Sequence, residues 1–89
     1  MATVAVKIRI MPKSLEIDLT EIEKNIRDLL KKNDVKESQF EVHPVAFGLK
    51  SLTVLFGWPE EKEFEEIEKK LQQIPGVSSL EVIDMRRAI

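Results

Sequence analysis

An α+β sandwich is what this 89-residue chain predicts: one four-stranded antiparallel sheet with both helices on one of its faces. Three observations carry the prediction. Four stretches alternate apolar and polar residues with the period of two that marks a half-buried strand. Two stretches repeat apolar residues at the spacing of an amphipathic helix. They follow one another as β-α-β-β-α-β, so two β-α-β halves share one sheet, the ferredoxin-like split arrangement. Right-handed crossovers then set the strand order 4-1-3-2.

In the first strand Val4, Val6, Ile8 and Ile10 alternate with Ala5, Lys7, Arg9 and Met11, and Pro12 stops the run. Asp18 followed by Glu21 has the spacing of a capping box opening a helix. Leu19, Ile22, Ile26, Leu29 and Leu30 form that helix's apolar stripe, with Glu23–Arg27 and Asp28–Lys32 paired on the wet side. Asn33-Asp34 closes it. The second strand falls within Val35 to Val45, with Phe40 and Val42 on one face and Glu41 and His43 on the other. Leu52, Val54 and Phe56 mark the third. Gly57-Trp58-Pro59 breaks the alternation. Pro59 suits the first helical position, Glu60 and Glu61 the positive end of the helix dipole, and Trp58 a cap over the helix start. Phe64, Ile67, Leu71 and Ile74 recur at helical spacing, with Lys69 and Lys70 near the negative end. Pro75-Gly76 ends the helix. Val77 to Met85 alternates again, with Leu80 and Val82 inward.

Strict alternation puts Lys7, Arg9, Thr53, Leu55, Glu81 and Ile83 on the open sheet face. That mixture neither demands nor excludes a partner. The topology also places two unusual features at opposite ends of the sheet, about 25–30 Å apart for strands of this length. One is the hairpin Pro44-Val45-Ala46-Phe47-Gly48-Leu49-Lys50. The other is the C-terminal run Ile83-Asp84-Met85-Arg86-Arg87-Ala88-Ile89, with two adjacent guanidinium groups. Periodicity leaves both open. Phe47 is either a lid folded over the sheet edge or an apolar knob for another molecule. Arg86 and Arg87 are either solubilising charges on a chain end or a contact.

Composition narrows the function. The length allows a single domain spanning residues 1–89. There is no cysteine and one histidine, so no thiolate nucleophile, disulfide or transition-metal site is expected. His43 reads as a strand-face residue before Pro44. Ser51, Ser78 and Ser79 lack a plausible base, and no glycine-rich phosphate loop occurs. The acidic run Glu60 to Glu68 lacks the Asp/Asn/Gly spacing of a calcium loop and reads as a solvated helix face. A net charge of −2 gives no footprint for nucleic acid, and the open face lacks stacking aromatics. No apolar run approaches the roughly 18 residues of a membrane span, and no signal peptide is recognisable. The expectation is a cytoplasmic protein, monomeric when free, without cofactor, metal or catalytic residues, acting by touching another protein.

Three blocks carry a family resemblance: Val6-Lys7-Ile8-Arg9-Ile10-Met11-Pro12 with Asp18-Leu19; Pro44-Val45-Ala46-Phe47-Gly48-Leu49-Lys50 with Leu52; and Gly76-Val77-Ser78-Ser79-Leu80-Glu81-Val82 running into Asp84-Met85-Arg86-Arg87. In these, over essentially the whole chain, it resembles the archaeal elongation factor 1-beta family, the nucleotide-exchange factors of the GTPase elongation factor 1-alpha. The resemblance implies guanine-nucleotide exchange without covalent chemistry. It implies that Phe47, in the family's Pro-x-x-Phe-Gly motif with Pro44, Gly48 and Lys50 around it, docks in a pocket of the GTPase's second domain. It implies that a basic C-terminal side chain reaches the GTPase's Mg²⁺ site. Ungapped counting gives that role to Arg87, with Arg86 as the alternative. Eukaryotic members carry Lys next to the final residue, whereas Arg87 is third from the end here. A regulatory or assembly module pairing through its open sheet face is the other reading.

Overall fold

The computed structural model describes residues 3–35 and 37–88, the last by its backbone alone. The elements are β1 (Thr3–Pro12), α1 (Leu19–Lys32), β2 (Ser38–Pro44), a single 3-10 turn (Ala46–Gly48), β3 (Lys50–Pro59), α2 (Phe64–Gln72) and β4 (Val77–Ala88). The strands form one sheet in the order β2-β3-β1-β4, with every neighbouring pair antiparallel. This is the expected ferredoxin-like order read from the other edge.

The core lies between the sheet and the two helices. Val6, Ile8 and Ile10 of β1 and Leu52, Val54 and Phe56 of β3 are buried against Ile22, Ile26 and Leu30 of α1 and Ile67 and Leu71 of α2. Each fully buried aliphatic side chain of this kind contributes about 1.5–3 kcal/mol. Asp18 caps α1, its Oδ1 accepting from the Thr20 N–H at 2.9 Å. At the other end Asp34 takes a left-handed φ of 68°. The Asp34 N–H then donates to Lys31 O and the Val35 N–H to Leu30 O, closing a Schellman motif over buried Val35 and Leu30. That motif uses up Val35, so β2 begins at Ser38 rather than at Val35, and Lys36 lies outside the described residues.

One further expectation is corrected, and two residues on their expected faces differ in exposure from their neighbours. Pro59 ends β3 instead of opening α2, because pairing with β1 continues to Thr3↔Pro59. The turn that follows is closed by Lys62 N–H to Pro59 O at 3.1 Å, and it is Glu65 and Glu66 that occupy the first turn of α2. Thr53 lies opposite Arg9 and Glu41 on the open face, yet is only 5% exposed, flanked on both sides by longer chains. Val42 shares the core-side face with Phe40 but is 51% exposed, being near the end of an edge strand. Phe40 is partly covered, with the Arg27 guanidinium 5.1 Å from its ring centre.

The alternation of β4 is also interrupted. Its register against β1 runs Ile8↔Val82 and then Lys7↔Asp84, so Ile83 is an extra residue, a β-bulge. Asp84 is therefore the residue that stands opposite Lys7 on the open face, and Ile83 is left without a partner in the ladder, 45% exposed. Every residue beyond the bulge changes sides relative to strict alternation.

Candidate functional site

The hairpin between β2 and β3 is closed by the Pro44↔Lys50 pair and by Val45 N–H to Leu49 O at 2.6 Å. At its tip the Leu49 N–H donates to Ala46 O at 3.3 Å, across Phe47 at φ 61°, ψ 30° and Gly48 at φ 78°. Two successive positive φ values across such a bond make a type I′ turn. Its first central position ordinarily takes Asn, Asp or Gly, and a side chain with no local hydrogen bond to offer costs about 1–2 kcal/mol there. Phe47 sits in it regardless, and its side chain is 93% exposed. The knob reading of Phe47 therefore fits the geometry, and the lid reading does not.

A neighbour that periodicity had left unassigned supports the tip. Leu15, in the loop from β1 to α1, is itself largely exposed and lies over the turn. A Cβ added at Gly48 would sit 3.4 Å from Leu15 Cδ2. Leu15, Ile17, Gly48, Leu49 and Lys50 line a shallow cleft of about 390 Å³ beside the knob. Nothing in the helical stripe pointed to Leu15, because it falls before the first cap.

Arg86 and Arg87 lie at the other end of the sheet. β4 runs antiparallel to β1, so its last residues meet the start of β1, with Arg86↔Ala5 and Arg87↔Val4. The hairpin joins the far ends of β2 and β3, and the molecule is 42 Å along its longest axis. The two arginines face opposite ways. Arg87, opposite Val4 and in line with Trp58, stands on the helix side; Arg86, opposite Ala5 and in line with Gly57, stands on the open side. Arg87 Nη2 is 2.6 Å from Glu60 Oε1, and Arg86 Nε is 2.9 Å from Asp84 Oδ2. Ala88's side chain and Ile89 lie outside the described residues.

The turn bearing Glu60 is well fastened. Trp58 is buried, its indole N–H donates to Lys62 O at 3.1 Å, and its ring packs edge-on against Phe56 and Phe64. This agrees with the expected cap over the start of α2. The Lys62 ammonium reaches back to Asn33 O at 3.0 Å and Asp34 Oδ2 at 3.1 Å. On the open face Arg9 pairs with Glu81 at 2.6 Å, and His43 Nε2 lies 3.0 Å from Glu41 Oε2. Among the described residues no group of three or more His, Cys, Asp or Glu side chains could hold a metal ion. Nor is any helix among them long and apolar enough to cross a membrane.

The profile of the EF-1 guanine nucleotide exchange domain matches residues 5–88, which defines the class of the protein. Elongation factor 1-beta of Staphylothermus marinus is 36% identical over 90 residues, covering 98% of each chain. The proteins of that name from Thermofilum pendens and Methanosarcina barkeri are each 35% identical and cover 98% of this chain, and 97% and 99% of their own. The chain belongs to the archaeal elongation factor 1-beta family. Among solved structures, the C-terminal domain of the MgtC protein from Mycobacterium tuberculosis superposes with a TM-score of 0.63 at 18% identity, over 99% of this chain and 88% of that one. That likeness speaks to the fold alone.

Proposed function

We propose that this chain promotes GDP release from elongation factor 1-alpha, with Phe47 as the anchor and a C-terminal arginine acting on the partner's Mg²⁺ and phosphate site. The observation that carries the reading is Phe47, 93% exposed on a turn that local preference would give to another residue. Local rules broken without a gain in the fold mark sites kept for function. Burying that ring in a partner's pocket would recover about 1.5–3 kcal/mol of apolar transfer energy. The arginines stand at the far end of the sheet, so one rigid body can engage two parts of the partner.

The chemistry is electrostatic. A GTPase holds GDP through its phosphate loop and a bridging Mg²⁺. A guanidinium brought to the metal's position competes with that ion by charge and volume, the phosphates lose neutralisation, and GDP leaves faster. The factor must then bind the nucleotide-free GTPase more tightly, and by linkage GDP or GTP weakens the factor equally. No bond is made or broken by the factor, which acts in the cytoplasm as a monomer. Phosphate contact at the terminus suits arginine's planar fork as well as its charge.

The test is release of a fluorescent GDP analogue from archaeal elongation factor 1-alpha, with and without the protein and with Phe47→Ala. Acceleration that collapses in the variant is the expected result. Acceleration that survives it would move the anchor elsewhere. No acceleration would end the exchange reading and leave the open-face assembly module as the alternative.

A further inference from the structure

We infer that Glu60 is a positioning residue for Arg87, and that their ion pair selects Arg87 over Arg86 as the group presented to the GTPase. This rests on the exchange reading above. Consecutive residues on a strand face opposite sides of the sheet, and the bulge at Ile83 sets Arg87 on the helix side and Arg86 on the open side, so one docking pose cannot use them interchangeably. Their carboxylates differ in kind. Asp84 lies on the same strand as Arg86, two residues back, and moves with it. Glu60 comes from the turn between β3 and α2, which is fastened by Trp58 to Lys62 O, by Lys62 N–H to Pro59 O and by the Lys62 ammonium to the end of α1. Strand ends at a chain terminus fray unless tied down. The Glu60–Arg87 contact at 2.6 Å is a tie from a rigid element to the terminal strand, and it places the guanidinium in one direction before the partner arrives. A side chain ordered beforehand loses less freedom on binding. The pair is also weak enough to release its cation. Its side chains are 68% and 42% exposed, so solvent screens it, and a nucleotide phosphate carries more negative charge than a single carboxylate.

The experiment measures GDP-analogue release across a range of factor concentrations for the wild type, Glu60→Gln, Glu60→Asp, Arg87→Ala, Arg86→Ala and the double variant Glu60→Gln with Arg87→Ala. Glu60→Gln is expected to lower the maximal rate about threefold, with Glu60→Asp restoring most of it. The half-saturating concentration, set mainly by Phe47, is expected to stay constant. In the Arg87→Ala background Glu60→Gln is expected to cost nothing further, the signature of two residues acting as one. The wild-type advantage over Glu60→Gln is expected to shrink with added salt. An equal loss in the Arg87→Ala background overturns the proposal, as does faster exchange by Glu60→Gln, which would make the pair a restraint. A wild type that fails to accelerate release removes the exchange reading itself, and this one with it.

Discussion

The two ends of the sheet are exposed in opposite ways. At the hairpin, an apolar ring stands in water on a backbone that is fixed and locally disfavoured. At the terminus, two charged side chains are each paired with a carboxylate on an ordinary extended strand. The first end carries a standing cost in the free protein, which binding can return. The second has its cost offset already, so binding must exchange one partner for another. An anchor of the first kind contributes affinity, whereas a group of the second kind contributes an effect on the bound state and little net affinity.

The contrast can be broken most strongly at Phe47. Phe47→Ala is expected to weaken binding to the nucleotide-free GTPase by about 2 kcal/mol or more, as for an interface hot spot, measured by titration calorimetry. Arg87→Ala is expected to lower the rate at saturating factor about tenfold, equivalent to about 1.4 kcal/mol in the barrier, with binding changed far less. Single-turnover release at high factor concentration separates the two. If Phe47→Ala changed the saturated rate and Arg87→Ala the affinity, the assignment of roles would be reversed. A smaller effect tests the strain. Phe47→Asn suits the left-handed turn and is expected to stabilise the free protein by about 1 kcal/mol while abolishing docking, read from urea unfolding. The smallest concerns Asp34, the other non-glycine residue with a positive φ among those described, which closes α1. Asp34→Gly is expected to change stability by less than about 0.5 kcal/mol, strain relief being offset by the added backbone entropy and the loss of the exposed Lys62 ion pair, with GDP release unchanged because the Lys62 ammonium keeps its bond to Asn33 O. Equal functional effects of the two substitutions would show that the turn at Phe47 matters only as structure.

Much of the fold was legible because its signals are local. Val6, Ile8 and Ile10 announce a strand by period alone, and Ile22, Ile26 and Leu30 a helix, and all six are buried as those periods require. Pro59 misled because a favourable helix-start residue is a weak preference, whereas pairing with Thr3 is a tertiary fact. The alternation expected through Met85 misled because a bulge at Ile83 leaves no mark in the apolar pattern. Phe47 could be singled out by its place beside Gly48, but whether it pointed in or out depended on the turn type. That in turn depended on the extra residue on the β2 side, where Val45 and Ala46 both bond to Leu49. The role of Glu60 was invisible, since its contact joins a turn to a strand end that lies far away in sequence.

The bulge at Ile83 has a consequence for comparing this chain with its relatives. A strand is a two-phase object, and an inserted residue advances the phase by half a cycle. Two chains could share their last five residues letter for letter and still present different arginines to the same side, if only one of them carried the insertion. For this terminus, position counted from the chain end is a poor ruler, and phase counted from the last irregularity in the ladder is the useful one.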